Sequence, residues 1–449
     1  MLSYKIFFTM NFFQNFQSIL LIITLLFSFV NCQNIPNPRS QQASSLIGKR
    51  LYFFGGDLST TDSDNDKAAY ITNEVWYLDL SSSFNTATPP WNKDVGMPIG
   101  NNVGASCVSP IDNSVFLVGG LKYIPNTATI KFDSSPVYVF NSNISLWTTP
   151  NIIGFNSSFK MRNPIQPIID NYGKIYAFGG SNFTYYNASV EVYDDMSILD
   201  TTSMTWSTLA KSTNTPPPLL AYTATLLPTG IIVYIGGVKA SIVGKFGTLV
   251  PVSMYEIQIF NTNNYNWSTK VVGGENIDSR LGHSAVLTQN GEIIIYGGLI
   301  WNTTSPATPY IVKLDTSSWM WSIPNVSQIN SPQLCYHSAA LYGDYMIIAF
   351  GQIPYMSSIS YSALSTNIYI LDIKSYTWIT SFNPNQSTEK QKSSNKSSTN
   401  QLNNGLFIGI GIGAGMVLIG VFSFAGFLLY KRQNQNTKSI PTPGTTDRI

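Results

Sequence analysis

The sequence predicts an all-β chain made of six copies of one four-stranded sheet, and three observations carry that prediction. Aromatic residues make up 13% of the 449 residues and charged ones only 11%, a balance that, with abundant Ser, Thr, Asn and Gly, favours strands and turns over helices. Six apolar strands end in a Gly pair or its remnant: LYFFGG (51–56), VFLVGG (115–120), IYAFGG (175–180), IVYIGG (232–237), IIIYGG (293–298) and MIIAFGQ (346–352). Successive first glycines stand 54 to 64 residues apart, the signature of a repeated supersecondary unit. Each pair is followed by a second strand and a tryptophan: Trp91, Trp147, Trp206, Trp267, Trp321 or Trp378.

Each part of the unit has a local reason. Glycine at a strand end permits positive φ and close approach of another backbone. In five repeats an Asp or Asn stands six residues before the Trp (Asn141, Asp200, Asn261, Asp315, Asp372), and the first repeat has Asp79 with six extra residues. Such a side chain bonds its own backbone and turns the chain, while the Trp supplies a wide apolar face between neighbouring sheets. Upstream of every Gly pair another apolar strand ends in a tight turn: Ile47-Gly48-Lys49, Asp112-Asn113, Asn171-Tyr172-Gly173, Pro228-Thr229-Gly230, Asn290-Gly291 and Tyr342-Gly343-Asp344. The unit therefore has four strands, A to D, in chain order.

These repeats resemble the kelch repeat, and the stretch from about Arg39 to Phe382 is similar to a six-bladed kelch β-propeller. Two places depart from the pattern, the last pair, Gly351-Gln352, and the fourth strand of the first unit. No exchange of strands between units is evident, so the way the ring closes is left open.

His283 and His337 are the only histidines, each fourteen residues before a Gly of its unit, where Gln41, Ala105, Ile165 and Tyr222 stand in the others. A kelch unit often has His there, followed by Ser and Ala as in both copies here, which implies repeat positions without chemistry. The resemblance also raises galactose oxidase, a copper radical enzyme on a kelch propeller, whose adjacent Tyr and His ligands Tyr336-His337 would match. In that enzyme a second His comes from a domain after the propeller, whereas His283 comes before the pair. No four-ligand set is found, so no cofactor is expected, copper being the alternative. Cys107 fills a register of small buried residues, and a bridge from it to Cys335 would join units that are not neighbours. No G-x-S-x-G elbow or glycosidase carboxylate pair stands out. Asp62, Asp64 and Asp66 lack the turn glycine of a calcium loop and read as a solvated acidic loop.

What remains is a binding surface. The A–B and C–D turns are mostly short, whereas the B–C and D–A loops share the other face and are long and varied, which is where function usually sits. Arg39, Arg162 and Arg280 lie sixteen or seventeen residues before the first glycine of their unit. In kelch domains that grip acidic peptides, arginines at this register line the channel mouth, so the resemblance makes these three ligand candidates; bonding between neighbouring loops is the competing role. Tyr185, Tyr186, Trp301, Tyr310, Tyr355 and Tyr361 add aromatic faces able to stack on sugars or anchor a protein.

The ends of the chain suggest where it lives. Residues 19–30, ILLIITLLFSFV, form a 12-residue apolar run before Val30-Asn31-Cys32, as in a secretory signal of residues 1–32; an uncleaved anchor is the alternative. Residues 406–430 are 25 residues without a charge, followed by Lys431-Arg432, and read as one membrane helix with the 431–449 tail in the cytoplasm. Residues 33–382 then form an extracellular or lumenal propeller, and 383–405 a polar stalk with too little apolar surface to fold. Nine N-x-S/T sequons begin at Asn143, Asn156, Asn182, Asn187, Asn266, Asn302, Asn325, Asn385 and Asn395, none of them in the tail. Gly405, Gly409 and Gly413 suit close pairing of two such helices, hence a homodimer. A net charge of +2 without a basic block argues against nucleic acid. The expected role is non-catalytic binding of an extracellular protein or glycan, with the copper oxidase and a structural surface protein as alternatives.

Overall fold

The computed structural model describes residues 35–385 apart from 59–70, 126, 128, 133, 156, 160, 185–189, 242–248, 304, 327–330 and 355–362. The expected signal, membrane span, tail and most of the stalk fall outside the described residues, as do Gly405, Gly409 and Gly413. Among the described residues no helix is long and apolar enough to cross a membrane.

Among those residues six antiparallel sheets of four main strands are each built from one consecutive stretch of chain, in the order A, B, C, D. Sheet 1 comprises Ala43–Ile47, Arg50–Phe54, Val75–Asp79 and Trp91–Asp94. Sheets 2 to 6 begin with strand A at Ala105–Val108, Ile168–Ile169, Thr223–Leu226, Ser284–Leu287 and Ser338–Tyr342. These A strands neighbour one another all the way round, and sheet 6 meets sheet 1. Sheet 5 takes a fifth strand, Gly273–Gly274, which runs parallel to its strand D, Met320–Ser322.

The repeat residues do the local work their chemistry predicts. All six Asx residues accept a backbone N–H two residues on; Asp315 Oδ1, for one, takes it from Ser317 at 2.8 Å. Each strand-D Trp packs into the apolar layer shared with the preceding sheet: Trp267 with Phe178 and Tyr176 of sheet 3, and Trp321 with residues of sheet 4 such as Val233 and Ile257. The core is thus six apolar layers between successive sheets, the sixth joining Phe53 and Leu78 of sheet 1 to Ile347 and Ile370 of sheet 6.

The Gly pairs bond one sheet to the next. The second glycine donates its N–H to a carbonyl of the following sheet: Gly56 to Asn101, Gly120 to Arg162, Gly180 to Leu219, Gly237 to Arg280, Gly298 to Leu334 and Gly351 to Arg39, all at 2.7–2.9 Å. This series corrects the reading of the last repeat. Gly351 holds the second place, so the first place is taken by Phe350, in the left-handed region at φ 61°. Its ring packs edge-on to Phe53, with centroids 5.0 Å apart, and on Trp91 at 5.2 Å. That packing at the seam between sheets 6 and 1 offsets a conformation that few non-glycine residues adopt.

The question of closure is answered by the extra residues of the first unit. Phe84–Asn85, between strands C and D of sheet 1, pairs antiparallel with Ser381–Phe382, just after the last strand of sheet 6. Phe382 is fully buried there against Phe84, Tyr342 and Tyr345. Among the described residues no main sheet borrows a strand; a two-residue clasp joins the ends of the ring.

Candidate functional site

Where the chain enters strand A, six segments converge on the centre of the ring, and their side chains form a polar belt. Thr223 Oγ1 lies 2.9 Å from His283 Nε2, and Ser284 Oγ lies 2.8 Å from His337 Nε2. Gln42 Nε2 donates to Ser338 Oγ at 2.8 Å, and Asn102 Nδ2 donates to Gln41 Oε1 at 3.2 Å. Ser106 Oγ donates to the carbonyl of Ser44 at 2.9 Å. Each bond crosses from one sheet to its neighbour. The position after the His register is Gln42, Ser106, Gln166, Thr223, Ser284 or Ser338, uniformly polar and uncharged, a signal that attention to the histidines alone misses.

The two histidines are thereby placed. Burial pushes both imidazoles down to about 3, helped for His283 by the nearby Arg280 charge, so both rings are neutral belt members. His337 Nε2 is engaged by Ser284, and burial raises the Cys335 thiol well above its usual range. Among the described residues no three His, Cys, Asp or Glu come together. Cys107 and Cys335 are separate buried thiols.

Above the belt opens a cavity of about 410 Å³. Its wall takes Gln41, Asn102, Asn163, Tyr222, His283 and His337 from the six strand-A entrances, and Phe183, Leu249 and Trp301 from B–C loops. The structure thus brings the long loops and the ring centre together on one face, as the connectivity predicts. Trp301 also lines an adjoining cleft of about 590 Å³ with Leu299, Asn302 and Tyr336. It packs with Tyr336 against Leu220 and Leu281.

The three arginines lie outside the lining of the cavity. Arg39, Arg162 and Arg280 are fully buried, and none lines the cavity. Each guanidinium donates to the carbonyl of the first glycine of its own sheet: Arg39 to Gly55 at 3.2 Å, Arg162 to Gly179 at 3.0 Å and Arg280 to Gly297 at 3.2 Å. Arg39 also pairs with Glu74 at 2.8 Å, and Arg162 with Asp195 at 2.8 Å beneath the Tyr193 ring. Arg280 instead reaches the carbonyls of Asp278 and Thr308, and burial lowers it to about 10. The carbonyl oxygens of the same three residues accept from the preceding sheet, so each arginine fastens two sheets together.

Of the other candidates, Tyr185 and Tyr186 fall outside the described residues. So do the sequon residues Asn156, Asn187 and Asn395, whereas Asn143, Asn266, Asn302, Asn325 and Asn385 are exposed and Asn182 is half-buried.

A ring of Gly-linked sheets around a central cavity is the geometry of a β-propeller, and the Attractin/LZTR1 beta-propeller family model matches residues 115–418. The chain belongs to that family. Members of the wider kelch group are similar to this Attractin/LZTR1-type propeller at modest identity. Kelch domain-containing protein 3 of Rattus norvegicus is 28% identical over 270 residues, 58% of this chain and 64% of that protein. Acyl-CoA-binding domain-containing protein 5 of Arabidopsis thaliana is 22% identical over 327 residues, 70% of this chain and 44% of that one. Putative protein tag-53 of Caenorhabditis elegans is 25% identical over 297 residues, 64% of this chain and 20% of the relative. Each match spans less than two thirds of the relative's length.

Proposed function

We propose that this protein is a six-bladed propeller held outside the cell or in the secretory lumen by one C-terminal span, and that it is a non-catalytic binding module. The observation that carries the binding role is the cavity on the loop-bearing face, whose lining among the described residues includes two neutral belt histidines and no Asp, Glu, Lys, Arg or Cys. Among the described residues this lining presents no activated nucleophile and no acid–base pair; it offers shape, aromatic faces and uncharged hydrogen-bonding groups. The similarity to kelch domain proteins fits an interaction module.

Topology and binding are tested together on cells expressing the full-length chain. Antibody to the propeller is expected to stain intact cells, and antibody to the 431–449 tail only permeabilised ones. Surface labelling of neighbouring molecules is expected to fall when Trp301 is replaced by Ala. Staining of the tail on intact cells, or labelling unchanged by that variant, would overturn the corresponding half of the reading.

A further inference from the structure

Among the described residues, the wall of the central cavity contains no Asp, Glu, Lys or Arg. A ligand carrying net charge would leave water for a wall offering no counter-charge, and the desolvation cost is then unmatched. Among the described residues, such a wall favours an uncharged occupant.

The distribution of polar groups narrows it further. Every sheet contributes an uncharged hydrogen-bonding side chain: Gln42, Asn102, Asn163, Tyr222, Ser284 and Ser338. Two acceptors on these residues, Gln42 Oε1 and Asn102 Oδ1, take no hydrogen bond from the described protein, although both residues are buried. Buried acceptors are seldom left without a donor. The Tyr222 hydroxyl and the Asn163 amide N–H groups are engaged by carbonyls of the fold, and apolar residues such as Ile165, Leu220 and Leu281 stand between the polar ones; a wall that mixes acceptors with apolar faces suits a ligand carrying both hydroxyls and C–H faces. At the rim, Trp301 and Tyr336 pack on Leu220 and Leu281, which fixes their rings before any ligand arrives. A fixed aromatic face takes the C–H side of a sugar ring at little entropic cost. The volume, about 410 Å³, lies within the range of about 300 to 1,000 Å³ typical of small-ligand sites.

From these features we propose that the cavity is a binding site for a neutral saccharide, one or two sugar units seated in the belt with the rest of the chain leaving past Trp301. The proposal rests on the binding-module reading and names its ligand.

The test uses full-length protein carrying Asn302→Gln, so that sugar attached beside Trp301 is not mistaken for ligand, on a printed array of defined neutral, sialylated and sulfated saccharides. Signal is expected on neutral saccharides only, reduced tenfold or more by Trp301→Ala and largely restored by Trp301→Phe, with unchanged thermal unfolding showing that both variants fold. Binding confined to acidic saccharides, no binding at all, or neutral binding indifferent to Trp301 would overturn the proposal. If the array is empty while surface labelling of cells still depends on Trp301, the saccharide assignment fails and the binding module stands. If both are lost, both fail.

Discussion

The N–H of Gly351 donates to the carbonyl of Arg39 at 2.8 Å and thereby joins the last sheet to the first. It is the sixth of six equivalent bonds, and the one that spans nearly the whole ring in sequence. Closing so long a loop costs more chain entropy than any contact between successive sheets. The seam is correspondingly reinforced by the Phe350 packing and by the clasp between Phe382 and Phe84.

The clasp is expected to carry measurable stability. Phe382→Ala removes a fully buried ring and is expected to lower unfolding stability by about 3 to 5 kcal/mol. Urea unfolding followed by tryptophan fluorescence measures it, and a loss below about 1 kcal/mol would show that the seam holds without the clasp.

Glycines of the repeat are expected to split into two classes. At Gly236 an added Cβ would stand 2.6 Å from the Arg280 carbonyl oxygen and 2.7 Å from His283 Cε1, so Gly236→Ala forces two sheets apart. At Gly291 the nearest atom is Thr316 Oγ1 at 3.4 Å, so Gly291→Ala meets only the backbone cost of its positive φ, about 1 to 2 kcal/mol. Thermal unfolding of the two variants should separate them clearly, Gly236→Ala being the worse.

Arg162 is expected to behave as a structural residue. Arg162→Ala strands Asp195 and the Gly179 carbonyl and is expected to destabilise the fold by about 3 kcal/mol. Arg162→Lys cannot reproduce the fork and should recover only part of that loss. Ligand binding lost in a fully stable Arg162→Ala protein would restore the arginine to the ligand site.

Acid should weaken the fold in two stages. Burial lowers both imidazoles from 6.5 to about 3, so below about 6.5 the unfolded chain takes up protons that the folded one refuses. This contribution is complete above that pH and is lost as the pH falls toward 3. Burial alone would raise Glu74, but hydrogen bonds from Lys93, Trp76 and Arg39 outweigh it and hold the carboxyl at about 2, down from 4.5. Its contribution is complete above about 4.5 and is lost as the pH falls toward 2. The urea midpoint of the wild type should therefore decline from about pH 6.5 downward, and a His283→Gln/His337→Gln protein should stay level until Glu74 begins to titrate. A wild-type midpoint that stays level from about pH 7 to 5 would contradict neutral buried rings.

The thiols should be silent in the native state. Burial pushes Cys107 up to about 12 and Cys335 higher still, so neither supplies thiolate at neutral pH. Peptide mapping after iodoacetamide is expected to find both unmodified in native protein and both modified in urea; rapid native labelling of Cys335 would show that its pairing with Gln352 in sheet 6 opens.

Much of the unit was legible because its devices are local. The Asx turn lies within one loop, strand alternation within one hairpin, and Trp with Gly-Gly recurs at fixed spacing, so six copies of a weak pattern make a strong one. The arginines show the limit of that logic. Their register was readable, but the Gly carbonyls and carboxylates they bond come from elsewhere in the fold, and a surface role and a buried one share the same spacing. The last repeat shows another limit. A shorter A–B turn in sheet 6 moved Gly351 one place along, and only its bond to Arg39 shows that Phe350 stands in the first glycine's position.

The sequence by itself determined the all-β class, the unit and its four strands, because turn chemistry and side-chain alternation act over a few residues. The tertiary structure alone decided three matters: how the ring closes, where the arginines point, and that the wall of the central cavity is uncharged among the described residues. The first and the third depend on groups brought together from different sheets, such as Phe84 with Phe382 or Gln42 with Ser338. Their proximity is set by closure of the whole ring, which no local stretch of sequence encodes.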